Sequence, residues 1–460
     1  MHKHSRSKVA RATSPRRTRA PQALPPSARA AAGFLHAWEH CLGGYVPTLA
    51  KRAGRPVRVP LARVLPALIF HVMSGAGTLA EHFFRLFDES YAESSLSARR
   101  SRLPGEVFAE LMKRMLRPLA TRKQAGAFWR GWRVVAIDGT QFSLANTPGI
   151  KKEVPKAGSR RGRAAFAKLG AVVLLEIGLH NPLAAAIGRH GQSEWELGLG
   201  MLSSLPKQAL LLADRLYGCA AFAMEALAAC RRVGSHFLFR VRSNIKAQTL
   251  ARYKDGSRRV RVGVRRKGNP DRSLEWLEVR EIRVRVQREG FRAPVVRLWT
   301  SLLDWQQAPA QELAQLHPQR WEHELYYRQI KRQLRKGDLL QSQTVDTAAQ
   351  EVAAIILASA LIAGERARAS GDEVPALRIS FIKVLELLQP LWLTVQACDD
   401  LLTEKQKQQI TERFYKLMSR CVTQPRRTRS CPRAVRRPVT KWPRLLNNSS
   451  ITAPITLTVV

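Results

Sequence analysis

"WRVVAID" (residues 132–138) is the stretch on which the fold of this chain turns. Upstream of it, from Gly33 to about Gly131, apolar residues recur at three- and four-residue spacing, as in "PLARVLPALIFHVMSG" and "PGEVFAELMKRMLRPLA". That is the period of amphipathic helices. At Trp132 the rhythm becomes a short, β-branched apolar run that stops at Asp138, the mark of a strand. "FAKLGAVVLLEIGL" (166–179) is a second strand, and a turn at His180-Asn181-Pro182 returns the chain as a third, "LAAAIGRH" (183–190). "SEWELGLGMLSSL" (193–205) reads as a helix with Ser193 as N-cap. "QALLLAD" (208–214) is a fourth strand that again ends in an aspartate, Asp214. "CAAFAMEALAACRRVG" (219–234) is a helix closed by Gly234, and "SHFLFRVRS" (235–243) is a fifth strand.

The order is three strands, helix, strand, helix, strand, then helix, which matches a ribonuclease-H-like α/β core. Residues 245–296 interrupt it with arginine-dense, strand-like runs and turns such as Asn269-Pro270-Asp271. From Ala310 the pattern is helical to about Leu402, with breaks expected near Gly371 and Pro390. The expected organisation is therefore a basic arm (1–32), an all-α domain (33–131) and an α/β core (132–244 and 297–345) carrying a β-rich insertion (245–296). C-terminal helices (346–420) and a basic tail (421–460) follow.

Composition narrows the function. Of 460 residues, 77 are Lys or Arg and 35 are Asp or Glu, a formal net charge of +42. A positive field of that size selects a polyanionic partner, nucleic acid before membrane. Residues 1–32 and 421–447 each hold eight Lys or Arg, four Pro and no acid, the composition of solvated arms. The closing "NNSSITAPITLTVV" is unlike the rest and reads as sequence beyond a natural end. The six cysteines contain no CxxC pair, which excludes a zinc pattern and a disulfide framework and fits a reducing cytoplasm. The apolar run "VAAIILASALIAG" (352–364) is too short to span a bilayer and reads as a buried helix.

Asp138 and Asp214 each follow an apolar strand and precede a turn. Strand ends are where α/β sheets gather their ligands. Carboxylates are the natural ligands of Mg²⁺ or Mn²⁺, and two such ions can drive phosphodiester chemistry. Two aspartates are too few, so a third carboxylate is expected from another element. "RWEHELYYRQIKRQLRKG" (320–337) offers Glu322 and Glu324. At about 100° per residue, His317, Arg320, Glu324 and Lys331 share an arc of about 60°, while Glu322 lies about 140° from His317. Glu324 is thus the candidate ligand and Glu322 a surface or cap residue. Arg320, one turn before Glu324, is placed to orient the carboxylate or hold a phosphate. "KKEVPKAGSRRGRAAFAK" (151–168), with Lys151, Lys152, Arg160 and Arg161, is expected to line a DNA channel beside the site. His190 with Glu194 reads either as outer support for the site or, for Glu194, as a helix cap.

These residues resemble the bacterial transposases named after insertion sequence four. Arg320, Glu324 and Lys331 fit the spacing of that family's Tyr-Arg-Glu-Lys signature, with His317 in the tyrosine slot. "AIDGTQF" and "LLLADRLYG" resemble its two aspartate motifs, and "SARRSRLP" and "LWTSLLD" are also similar, so the resemblance covers roughly residues 60–365. It implies a DDE transposase with Asp138, Asp214 and Glu324 as catalytic metal ligands and two Mg²⁺ or Mn²⁺ ions as cofactors. It further implies DNA contacts from Arg320, Lys331 and His317, cleavage at element ends, and joining of 3′ hydroxyls to target DNA. Its partners would be double-stranded DNA, both terminal inverted repeats and target, and a second copy of the chain, with no membrane. Its setting would be the cytoplasm, on the nucleoid. An insertion tryptophan that receives a flipped base is also implied, with Trp276, Trp299 and Trp305 as candidates. Two other readings remain open: a different nuclease of the same fold, and an inactive or repurposed DNA-binding protein derived from a transposase.

If the charge serves nucleic acid, affinity for duplex DNA should fall steeply with salt. Neutralising 6–10 phosphates implies a loss of about 10³–10⁵ between roughly 50 and 200 mM salt. A salt titration followed by fluorescence anisotropy measures it; a flat profile would remove nucleic acid as the reason for the charge.

Overall fold

The computed structural model describes residues 33–42, 59–159, 162–188, 191–264, 274–287, 295–335, 337, 339–371, 374–424 and 456–459. The chain opens with α1 (Gly33–Leu42), α2 (Leu61–Met73), α3 (Leu79–Phe87), α4 (Glu93–Ser101) and α5 (Gly105–Met115). A short β1 (Phe128–Trp129) pairs with β2 (Trp132–Ser143). Next come α6 (Pro148–Glu153), the small ladder of β3 (Gly158–Ser159) and β4 (Gly162–Arg163), β5 (Lys168–Glu176) and β6 (Asn181–Ile187). The core alternates onward through α7 (Glu194–Met201), β7 (Ala209–Ala213), α8 (Ala220–Arg232) and β8 (His236–Val241). The arginine-dense segment supplies β9 (Gln248–Arg252), β10 (Arg258–Val264) and β11 (Glu275–Gln287), and β12 (Val295–Thr300) leads back. Then follow α9 (Ala310–Leu316), α10 (Trp321–Arg328), α11 (Val345–Ala369), α12 (Phe381–Ala397), α13 (Glu404–Arg420) and β13 (Thr456–Val459).

The main sheet runs β6-β5-β2-β7-β8-β12-β11-β10-β9. β7 is parallel to both neighbours, β2 and β8, and the other pairs along this path are antiparallel. This is the ribonuclease-H-like arrangement expected from the element order. The β-rich insertion does not stand apart: β12 pairs with β8 on one side and β11 on the other, so β9–β11 continue the core sheet.

Strand alternation divides the core into two. Val134 and Ala136 of β2, with Leu210 and Leu212 of β7, face the helical layer of α10, α11 and α12. Val135, Ile137, Leu211 and Ala213 face α7 and α8. Period-two burial on both faces is what a helix-covered sheet requires. α11 is long and apolar enough to cross a bilayer by length and composition, but 78% of its most apolar window is buried inside the protein. It is the central core helix, as expected. Arg100 of α4 staples that layer: its guanidinium donates to Ser342 Oγ at 2.8 Å and to the Thr347 carbonyl at 2.7 Å.

Two expectations are corrected. α12 runs straight through Pro390. The face carrying Val384, Leu385, Leu388, Leu391, Trp392 and Val395 is buried, and that packing outweighs the missing backbone hydrogen bond. The residues near the end of the sequence are not an appendage: β13 pairs antiparallel with β11 from Val284↔Val459 to Gln287↔Thr456, beyond the point where β10 ends. The arm 1–32 and residues 425–455 lie outside the described residues.

The insertion is built around a buried carboxylate. Glu281 of β11 is fully buried and is met by Arg258, by Arg297 at 2.6 Å and by Arg283 at 3.1 Å. The Trp299 indole N–H also donates to it at 3.0 Å. Burial alone would raise its pKa; the bonds from Arg297, Trp299 and Arg258 overcome that and hold it down at about 2. The sign follows. A carboxyl depressed from its ordinary 4.5 stabilises the fold at higher pH and loses that contribution as pH falls toward 2. Glu281→Gln should therefore cost about 3–5 kcal/mol near neutrality, since it strands buried guanidinium charge. Urea denaturation should show the gap to the parent protein narrowing as pH drops below about 4; a gap independent of pH would contradict this account.

Candidate active site

Parallel pairing of β2 with β7 places Ile137 opposite Ala213. Asp138, midway along β2 rather than at the strand end expected from sequence, and Asp214, the residue after β7, come next, so they stand side by side where the parallel pairing stops, about one strand spacing (~4.8 Å) apart along the sheet. Alternation aims both toward the α10 face. The turn after β7 is tight: the Tyr217 and Gly218 amides both donate to the Asp214 carbonyl. Gly218 is required there, because a Cβ would fall 1.9 Å from the Arg240 carbonyl oxygen.

The helix bearing Glu324 is latched to the sheet beside them. His323 is fully buried and its Nε2 donates to the Val173 carbonyl at 2.9 Å; Val173 is the cross-strand partner of Asp138. One turn on, the Tyr327 hydroxyl donates to the Asp138 carbonyl at 2.7 Å. His317 is also buried, with Nε2 3.3 Å from the Ala213 carbonyl. Burial pushes the His323 imidazole down to about 3 and that of His317 to about 4, so both are neutral donors. Periodicity on α10 marks Glu324 as a site candidate, but it carries no signal for these latches.

Arg320 joins the carboxylates. Its guanidinium lies 3.6 Å from Asp138 Oδ2 and 3.4 Å from Glu324 Oε1, with the arginine side chain 12% exposed. Asp138 titrates abnormally, up to about 7. Burial is the main cause, and Glu194 and Asp214 add to it against the opposing pull of Arg320 and the Gly139 amide. Among the described residues, no three His, Cys, Asp or Glu side chains converge closely enough to grip an ion unaided. The residues nonetheless suit a hard cation. Asp214 Oδ1 is buried with no hydrogen-bond partner, Asp138 crowds other carboxylates, and all the donors are oxygen.

The remaining candidates divide. Lys331 reaches back to the Gln141 carbonyl at 2.7 Å and lies 4.9 Å from the Phe142 ring centre. Residues Gln329–Leu334 form a π-helical turn, so the uniform 100° step fails beyond Arg328. His317 faces the sheet rather than solvent. Lys151 and Lys152 are exposed on α6, which is tied by the Thr147 hydroxyl to the Gln343 carbonyl at 2.7 Å. Arg160, Arg161 and His190 lie outside the described residues. Glu322 is no simple surface residue: its carboxylate lies 2.8 Å from Nε2 of buried His180, whose other ring nitrogen is 2.8 Å from Gln329. Of the tryptophans, Trp299 is fully buried, Trp305 is half-buried, and Trp276 is 52% exposed with the Arg261 guanidinium 4.7 Å from its ring centre. Glu194, read from sequence as a cap or as outer support, does not cap α7; Glu196 does so, accepting from the Ser193 amide at 2.8 Å.

Comparison with known proteins places this site in a family. The model of the transposase DDE domain matches residues 129–361, which include all three carboxylates. The transposase InsG for insertion sequence element IS4 of Escherichia coli is 25% identical over 268 residues, 57% of this chain and 55% of that protein. The putative transposase InsZ of E. coli is 26% identical over 127 residues, 27% of this chain and 42% of that protein. The chain thus spans about half the length of these curated relatives. A structure of piggyBac transposase in a synaptic complex with hairpin DNA covers 85% of this chain and 82% of its own, with 9% identity and a TM-score of 0.41. The family match extends over half of the sequence, and the chain belongs to the DDE-domain transposases.

Proposed function

We propose that this protein is a DNA transposase that cuts the ends of an insertion element and joins the freed 3′ hydroxyls to target DNA. The observation that carries the reading is the in-register placement of Asp138 and Asp214 under a helix whose Arg320 links Asp138 to Glu324. Asp138, Asp214 and Glu324 would hold divalent ions, Mg²⁺ or Mn²⁺. Such ions, when bound, activate a water or hydroxyl and steady the leaving oxygen of a phosphodiester. The protein's own contribution is position. His323 and Tyr327 fix the height of α10 over the sheet, and Arg320 orients Asp138 and Glu324 and is within reach of a phosphate beside them. Lys331, Lys151 and Lys152 would steady the DNA backbone near the site, and a second copy of the chain would hold the other element end. The all-α region before β1 would bind the terminal repeats. Trp276, exposed beside Arg261, is the insertion tryptophan available to stack on a base.

Asp138→Asn, Asp214→Asn and Glu324→Gln should each lower end cleavage by more than about 100-fold, exceeding the usual effect of outer-shell partners. DNA affinity should stay within a few-fold, because phosphate contacts come from bases elsewhere. Cleavage of a labelled end-containing duplex, alongside anisotropy, reads both. Retained cleavage in any one variant removes that residue from the site. Cleavage absent from the parent protein under Mg²⁺ and Mn²⁺ would favour a repurposed DNA-binding protein.

Arg320→Lys should also cut cleavage at saturating protein by about 10²-fold, since a point charge cannot span two carboxylates as a planar fork does. Arg328→Ala and Arg332→Ala, on exposed positions of the same helical segment, should change only affinity. Equal, small effects at all three positions would show that the segment acts merely as a basic surface.

A further inference from the structure

Two acids sit in the first turn of α7, and they do different things. Glu196 closes the capping box with Ser193, its carboxylate accepting from the Ser193 amide at 2.8 Å while Ser193 Oγ accepts from the Glu196 amide at 3.2 Å. Capping therefore leaves Glu194 with no duty at the helix end. Its side chain runs instead to the middle of β2, beside Asp138, into the space a side chain at position 139 would fill. A Cβ on Gly139 would lie 2.2 Å from Glu194 Cδ. By strand alternation, position 139 faces α7 and α8 whereas Asp138 faces α10. Glu194 thus arrives beside Asp138 from the face opposite Glu324.

Its neighbours hold it there. The Gly139 amide donates to Asp138 Oδ1 at 3.0 Å, and Glu194 Oε2 lies only 2.6 Å from where a Cβ on that same residue would stand. The hydroxyl of fully buried Tyr217 donates to Glu194 Oε1 at 3.1 Å. Tyr217 closes the turn that begins at Asp214, whose buried Oδ1 has no partner. Holding a third partly buried carboxylate beside two others is unfavourable unless positive charge joins them. Arg320 supplies such charge to Asp138 and Glu324, on the α10 side. On the α7 side, Glu194 lines a cleft of about 120 Å³ with Thr140, Gln141, Lys168 and Gln192, which neither Asp138 nor Asp214 lines; it admits water to the Glu194 side of the strand.

We propose that Glu194 is a fourth carboxylate of the divalent-ion site, facing it from α7 with Asp138 and Asp214. Gly139 is then small so that this carboxylate can pass, and Tyr217 positions it. This inference rests on the reading that Asp138 and Asp214 bind the ions, and the test separates the two.

Mn²⁺ alone is titrated into the full-length protein without DNA, and free Mn²⁺ is read by electron paramagnetic resonance. Glu194→Gln should weaken Mn²⁺ binding by at least about 10-fold, the lower end of what even outer-shell partners of a metal contribute. Glu196→Gln, which alters only the cap, should leave affinity unchanged. Should Glu194→Gln fail to fold, Glu194→Asp keeps the charge and withdraws the oxygens by one methylene; it too should weaken binding. Thermal melts give an independent readout: Mn²⁺ should raise the melting temperature of the parent more than that of either Glu194 variant. If a folded Glu194 variant binds Mn²⁺ as the parent does while Asp138→Asn does not, Glu194 is no part of the site and the proposal fails alone. If Asp138→Asn also binds normally, the aspartate reading falls with it.

Discussion

Everything at the candidate site depends on one piece of register, the parallel pairing of Ile137 with Ala213. Because β2 and β7 are aligned residue for residue, the aspartate that follows each apolar run ends at the same height. A slip of one residue would turn one of them to the opposite face, since side-chain direction reverses at every step. The register is itself secured by burial. Val134 to Ile137 and Leu210 to Ala213 are all buried, with alternate residues in two different cores, so any slip would misplace both layers.

The second constraint is the docking of α10. A helix packed only by apolar contacts can slide or rotate at modest cost. Here His323 and Tyr327, one turn apart, bond to carbonyls on β5 and β2, and a third ring, His317, reaches β7. Each is buried, so each unmade bond would leave a polar group without water or partner. The helix is thereby held at one height over the sheet, and Glu324, next to His323, inherits that position. On its opposite side Glu322 and Gln329 enclose His180, a buried ring that locks the helix against the turn before β6.

The same logic, buried charge fully satisfied, recurs in the insertion. Glu281 is surrounded by arginines and an indole N–H. Nearby, Arg280 pairs with Asp255, whose carboxylate also accepts from the Ala310 amide at 2.9 Å, where α9 begins. The insertion is thus tied to the core sheet and to the approach to α10. This accounts for an arginine-dense segment that is not simply a DNA-facing surface. Part of the basic charge in this chain is internal structure.

Much of this was legible in the sequence because it depends on local period. Short apolar runs marked the five core strands, three- and four-residue spacing marked the helices, and a terminal aspartate on two runs marked Asp138 and Asp214, although β2 continues past Asp138 to Ser143. Spacing along one helix separated Glu324 from Glu322. What the sequence could not supply are relations between residues far apart in the chain. That Glu322 serves His180, that His317 turns inward to Ala213, and that Arg320 bridges two carboxylates all depend on how a helical segment lands on elements about 100–180 residues away. The angular arithmetic along residues 320–335 failed at the π-turn, because backbone geometry there yields to packing. Glu194 is the clearest case. In sequence it is one of two acids at a helix start; the Ser193-x-x-Glu196 spacing gives the cap to Glu196, but nothing local says where Glu194 goes. Only the missing side chain of Gly139, brought against it by tertiary packing, sends Glu194 to the space beside Asp138 and leaves Glu196 to close the helix.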